Sequence, residues 1–325
     1  MPQKIEVSHR TIIFAFVFTG LVWFFLQIKQ ILFLLFISFL LMSALNPAVN
    51  RLQKFKIPRP ISIILIYIIF FGFLSAFFAI LIPPLIEQTR LLVTSAPTNL
   101  EKLGLKGALE VDLQFITSQL GSIPKNVFTV VTGVFSNMIS LFTVIVFTFY
   151  LLLERRNLDQ YLTTLFGDHK EEVRIKQFID KVEQGLGNWV RAQFTLMIII
   201  GILSFLGLRL LGIEFALPLA ILAGFLEVVP NIGPTIAAIP AIIAGLTISP
   251  FLAAAVAALY FLIQQFENNL VVPQIMKKAT GINPLITIFA LMSGFKVAGL
   301  MGAILAVPIV IVLQVVLQEI YAHSR

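Results

Sequence analysis

Apolar runs of about twenty residues recur along this 325-residue chain, almost free of charged side chains. A run of that length spans the hydrocarbon core of a bilayer as a helix. No water is available there for backbone N–H and C=O groups, so each run must satisfy its own hydrogen bonds. The candidates are 11–28, 31–45, 61–86, 127–153, 194–211 and 251–272. Residues are 58% hydrophobic and 12% charged, against about a quarter charged in a soluble domain. The fold class that follows is all-α, a polytopic integral membrane protein.

Local signals divide the chain. Gln27, Lys29 and Gln30 interrupt the first apolar stretch, which reads as a tight hairpin of two spans. One long bent helix is the alternative, because no Gly or Pro marks the turn. Residues 1–86 thus hold three N-terminal spans. Residues 87–126 are more polar and form an external segment. In it Leu109, Leu113, Ile116 and Leu120 recur at helical spacing. Residues 127–153 form the fourth span. Residues 154–193 are the most charged stretch, in which Phe178, Val182, Leu186 and Trp189 make one apolar stripe. That pattern predicts a cytoplasmic amphipathic helix with a solvated outer face, or a helix that couples or regulates. Residues 194–325 form a C-terminal transmembrane core.

The net charge of +7 would suit nucleic acid in a soluble protein. Here the basic residues flank apolar runs, so they point to topology. The Lys- and Arg-rich segments are the N-tail, 51–59, 155–191 and 277–278. They place both termini in the cytoplasm and 87–126 outside. There is no cysteine, and His9, His169 and His323 lie outside the apolar runs. No metal cluster, cofactor or nucleic-acid partner is expected; the expected partners are lipid and a transported species.

Two C-terminal regions are apolar but broken. Residues 212–248 contain Pro218, Gly224, Pro230, Gly233, Pro234 and Pro240. Residues 281–321 contain Pro284, Gly294, Gly299, Gly302 and Pro308. Gly224-Phe225 aligns with Gly294-Phe295, and Gly233 with Pro240 aligns with Gly302 with Pro308, allowing one-residue shifts. The predicted topology makes them inverted copies entering from opposite faces. Such repeats of interrupted helices are a recurring transporter plan. Pro230, Asn231, Gly233 and Pro234 cannot continue a helix, and bare backbone at membrane depth must be buried or line an aqueous cavity.

Charge falls near both breaks. A charge at mid-membrane costs roughly 3 kcal/mol or more, so it faces a partner or water. Glu227 and Lys296 occupy nearly equivalent places, and both are expected to face a central polar cavity; the alternative is that each snorkels to the headgroups. With Pro230, Asn231, Gly233, Pro234, Gly294, Gly299 and Gly302 they form the expected substrate or ion pathway. Gln264, Glu267 and Asn268 share one helix face by spacing. They form a cytoplasmic mouth, or simply a polar helix end.

From about Trp189 to Glu319 the chain resembles the autoinducer-2 exporter family of bacterial membrane transporters. The resemblance rests on GLRLLGIEFALPLAILAGFLEVVPNIGP, VVPQIMKKATGINPL from Val271, and GFKVAGLMGAILAVP from Gly294. NPAVNRLQKFKIPRP from Asn46 fits the family's basic loop. The resemblance implies about seven or eight spans and export of a small polar solute such as autoinducer-2. It also implies a homo-oligomer such as a pentamer and, in some members, sodium- or lithium-for-proton antiport. A secondary transporter is the resulting expectation, since no G-x-x-x-x-G-K-[ST] loop provides for ATP. An enzyme is not expected: no paired aspartates, Ser/His pair or HExxH lies in the apolar runs. A membrane scaffold remains the alternative of another class, and uniform unbroken helices would favour it.

Overall fold

A computed structural model describes residues 9–102, 138–166, 169–230, 232–279 and 281–323. Among them every regular element is a helix. These are α1 (His9–Gln53), α2 (Arg59–Lys102), α3 (Met138–Glu154), α4 (Leu158–Phe166), α5 (His169–Leu210), α6 (Ala216–Leu226), α7 (Gly233–Ile248), α8 (Pro250–Phe266), α9 (Val272–Ala279) and α10 (Pro284–His323). Among the described residues six helices are long and apolar enough to cross a membrane.

The N-terminal hairpin is replaced by one rod. The 45-residue α1 runs unbroken through Gln27, Lys29 and Gln30. Gln and Lys are good helix formers, and without a Gly or Pro nothing stops propagation. The first 86 residues therefore hold two helices rather than three.

The charged segment and the fifth span are likewise one element, the 42-residue α5. Its predicted stripe is real: Val182, Leu186 and Trp189 are buried against Leu40 of α1 and Leu305, Val307 and Ile311 of α10, with Phe178 at the edge. The 87–126 segment begins as a continuation of α2; Leu109, Leu113, Ile116 and Leu120 lie outside the described residues.

Polar contacts gather the 51–59 turn and the ends of α3 and α10 around the first half of α5. Arg59 donates to the Leu152 carbonyl at 2.7 Å. Arg155 pairs with Asp180 and Glu183, Asn46 donates to Glu183 at 2.6 Å, and Glu319 reaches Arg174 and Lys181. These segments were expected to share a face, and they meet at one end of the bundle.

Both broken regions fold as helical hairpins. In the first, α6 and α7 have 11 and 16 residues, lengths of about 16 and 24 Å that fall short of a bilayer core of about 30 Å. In the second, α10 breaks at Ala298 and Gly299, where Gly299 has φ +60°. Its two limbs then lie against each other. A methyl group at Gly302 would sit 2.0 Å from the Gly294 carbonyl oxygen, and one at Gly233 would sit 2.0 Å from that of Leu226. The aligned glycines do the same job in each hairpin: they let backbone touch backbone beside the break.

α5 to α8 enclose one core that includes Ile200, Leu208, Leu219, Ala223, Ala241 and Val256. The two hairpins then meet. Val228 and Val229, at the first break, pack on Ala290, Leu291, Ala303, Ile304 and Ala306 of the second.

Gly302→Ala is expected to lower the melting temperature of the detergent-purified protein, since overpacking costs about 1–3 kcal/mol. Gly72→Ala, where added bulk meets open space, should leave it unchanged or raise it. Equal melting temperatures for the two variants would contradict the close contact at the hairpin.

Candidate functional site

The first break is a short non-helical stretch between α6 and α7. α6 ends at Leu226, Pro230 follows in the turn, and Pro234 sits in the first turn of α7, where a proline ring removes no helix hydrogen bond. Glu227 is the last residue before the chain turns, and it is fully buried. Phe225, two residues earlier, stacks on Phe77 of α2 with ring centroids 4.8 Å apart, closing the tip from one side.

Glu267 comes from a different place. It opens the π-helical turn Glu267–Val271 that joins α8 to α9. The wider π register aims consecutive side chains differently from an α-helix. Glu267 is therefore fully buried, while Asn268 is exposed. The spacing had put Gln264, Glu267 and Asn268 on one face; the turn keeps Gln264 and Glu267 together and sends Asn268 outward. Gln264 Nε2 lies 3.4 Å from Glu267 Oε2.

The carboxyl groups of Glu227 and Glu267 lie close enough to interact directly. Ionised carboxylates are acceptors only, so this contact becomes a hydrogen bond when one of them carries a proton. Neither oxygen of Glu227 meets an N–H or cationic donor. The chemistry of the pair is that of two acids competing for one positive charge, a proton or a small cation.

The third wall is α5. Gln193 is buried, and its Nε2 donates to the backbone carbonyl of Glu227 at 2.5 Å. That bond satisfies a carbonyl which the helix break leaves free. Gln193 Oε1 and Trp189 Nε1, one turn apart on the same helix, are buried without protein partners. Among the described residues seven buried side-chain polar atoms lack a partner. Five belong to Trp189, Gln193, Glu227 and Glu267. A native interior satisfies nearly all such atoms, so the open acceptors on Gln193, Glu227 and Glu267 suit a proton, a cation or a guest that brings donors. The other two, Ser204 Oγ and Tyr260 Oη, are a buried hydroxyl pair farther along the α5–α8 seam.

The remaining predicted residues divide. Gly233 and Pro234 are buried at the first tip, and Pro230 is half-buried; Asn231 lies outside the described residues. Gly294 and Gly302 are used in the backbone contact of the second hairpin, and Gly299 supplies its turn. Lys296 is exposed beside that turn, and no ion pair joins it to Glu227. The turn at Ala298 and Gly299 carries Lys296 outward with Val297, whereas Glu227 points into the α5–α8 seam. Gln193 was not singled out from the sequence, because it sits where the charged stretch meets an apolar run. Trp189 was counted only as part of the stripe. A lone amide entering an otherwise apolar helix was the available signal.

Residues 12–322 match the family model described as AI-2E family transporter. Among similar proteins, YueF of Bacillus subtilis (strain 168) is 28% identical over 91% of this chain and 85% of its own. YrrI of the same organism is 26% identical over 94% of this chain and 91% of its own. The AI-2 transport protein TqsA of Escherichia coli (strain K12) is 26% identical over 85% of this chain and 82% of its own.

Gln193→Leu is expected to destabilise the folded protein by about 1–3 kcal/mol, because the Glu227 carbonyl is left buried and unpaired. Thermal unfolding in detergent measures this. Gln193→Glu removes the same amide donor and should fail to restore stability at neutral pH, while a wild-type melting temperature for Gln193→Leu would show that the bond carries no weight.

Proposed function

The chain belongs to the AI-2E transporter family, and we propose that it works as a secondary transporter that moves a small polar solute across the bacterial cell membrane, coupled to protons at Glu227 and Glu267. Autoinducer-2 is one candidate solute, and export is the proposed direction. The observation that carries this reading is the set of open acceptors on Glu227, Glu267 and Gln193 where the first hairpin tip, the π-turn and α5 converge. Such groups cost stability unless a guest or a proton engages them.

The physical logic is that of a shared site. With a proton on the pair, the two carboxyl groups hold together and the tip is closed. With the proton gone, two like charges repel in a poorly solvated seam, and a cation or the solute's donors take the proton's place. The hairpins supply the movable parts. The limbs of the first hairpin are short, the two hairpins meet through Val228 and Val229, and they enter the membrane as re-entrant segments in this reading. Lys296, on the exposed turn of the second hairpin, would draw an anionic or polar solute toward it.

The carboxyl pair also favours a second reading, sodium- or lithium-for-proton antiport. Two carboxylates with an amide oxygen nearby are hard oxygen ligands of the kind small cations take. Here the solute would be the cation itself.

Flux in proteoliposomes under imposed pH and sodium gradients tests both. Glu227→Gln keeps the shape of the side chain and removes its titration. It is expected to abolish gradient-driven flux while the protein remains folded. Wild-type flux with unchanged pH dependence in Glu227→Gln would overturn the assignment. Uptake of sodium or lithium against proton release, with no response to a solute panel, would select the antiporter.

A further inference from the structure

At the end of the bundle where the 51–59 turn meets the end of α3, a cleft of about 680 Å³ opens to the outside. Four cations line it, Lys56, Arg59, Arg155 and Arg156, together with the amides of Asn46, Asn50 and Gln53. Among the described residues no acidic side chain does. Arg155 is neutralised from behind by Asp180 and Glu183. Arg59 is held in place by Asn46, Asn50 and Gln53 at 3.0 Å each. It is fixed but not neutralised, because amide oxygens carry no net charge. Lys56 and Arg156 have no acidic partner among the described residues.

We propose that this cleft binds the phosphate-bearing headgroup of an anionic phospholipid. Its depth fits. The apolar spans of α1, α2 and α3 all end at its rim: one stops at Gln53, the next starts at Arg59, and the third stops at Asn157. The cleft therefore lies at the level of the headgroups, where basic pockets between transmembrane helices take anionic lipids. Its floor includes Ile57 and Pro58, and Phe55 beside it is 76% exposed. A large aromatic side chain left outside at that level suits acyl chains and has no use for free phosphate. Its volume falls within the usual range for a small-ligand pocket.

The backbone adds a second sign. Lys56 is a non-glycine residue with positive φ, at +64°. It ends α1 in the left-handed conformation where glycine is the unstrained choice. The strained position places an ammonium group in the cleft, which a glycine could not do. Strain of this kind gathers at binding sites.

The test uses the purified full-length protein in detergent. Phosphatidylglycerol, phosphatidylcholine and inorganic phosphate are titrated separately, with melting temperature and native mass spectrometry as readouts. Phosphatidylglycerol is expected to raise the melting temperature and to be retained. The double variant Lys56→Gln/Arg156→Gln, which leaves the interhelical bonds of Arg59 and Arg155 intact, should weaken its apparent affinity about tenfold or more. Arg51→Gln/Lys54→Gln removes the same charge from the same turn outside the cleft and should keep wild-type affinity. Equal effects of phosphatidylglycerol and phosphatidylcholine would overturn the proposal, as would equal losses in the two double variants. A phosphate effect matching that of the lipid would overturn the lipid assignment in favour of a free anion.

Discussion

Backbone polar groups removed from water must find partners inside the protein, and the two helix breaks are where this chain meets that demand least easily. Elsewhere the long helices satisfy themselves. At the breaks, glycines let one carbonyl approach the next limb, Val228 and Val229 seal one hairpin against the other, and Gln193 donates to the Glu227 carbonyl. These devices exist because the breaks exist. They also bring Glu227 to a depth where a carboxylate alone would be costly, so its surroundings define what it can do. Those surroundings are a second acid and the amides of Gln193 and Gln264, and among the described residues no cationic side chain pairs with either acid.

The long helix α5 links this seam to the rest of the molecule. Its first half is clamped by Arg155, Asn46 and Glu319 through ion pairs and hydrogen bonds at one end of the bundle. Trp189 and Gln193 follow on the same rod, and its second half forms the core with α6 to α8. The helix that joins these two regions has no proline in it. The exposed ion pairs add little to stability in solvent; their value here is to fix the rod's register against α1, α3 and α10.

Much of the fold could be read from the residues, because lipid leaves few options. Long apolar runs had to be helices, and the stripe through Val182, Leu186 and Trp189 had to be covered. The paired Gly and Pro signals at Gly233, Pro234, Gly294 and Gly302 marked both hairpins, and the family followed from the motifs around them. The reading failed where composition imitates a boundary. Gln27, Lys29 and Gln30 look like a turn in an apolar stretch, yet they are compatible with helix, and α1 continues through them. The change from charged to apolar at Gln193 likewise imitated an end, although α5 runs on. The site was half legible. Glu227 stood out as an acid beside a break, and Glu267 as an acid in a polar helix end. Their meeting depends on a π-turn and on how α8 packs against the first hairpin, and neither leaves a mark in spacing. Lys296 was expected to face the same cavity as Glu227 from its equivalent place in the repeat, whereas it is exposed beside the turn at Gly299.

The central claim is that Glu227 and Glu267 act as one protonatable unit. The most direct measurement is a double-mutant cycle on gradient-driven flux in proteoliposomes, using Glu227→Gln, Glu267→Gln and the double variant. A shared unit predicts that each single variant loses coupling and that the double variant is no worse than either. Losses that multiply, or a Glu267→Gln variant that transports like the wild type, would show that the two acids work apart.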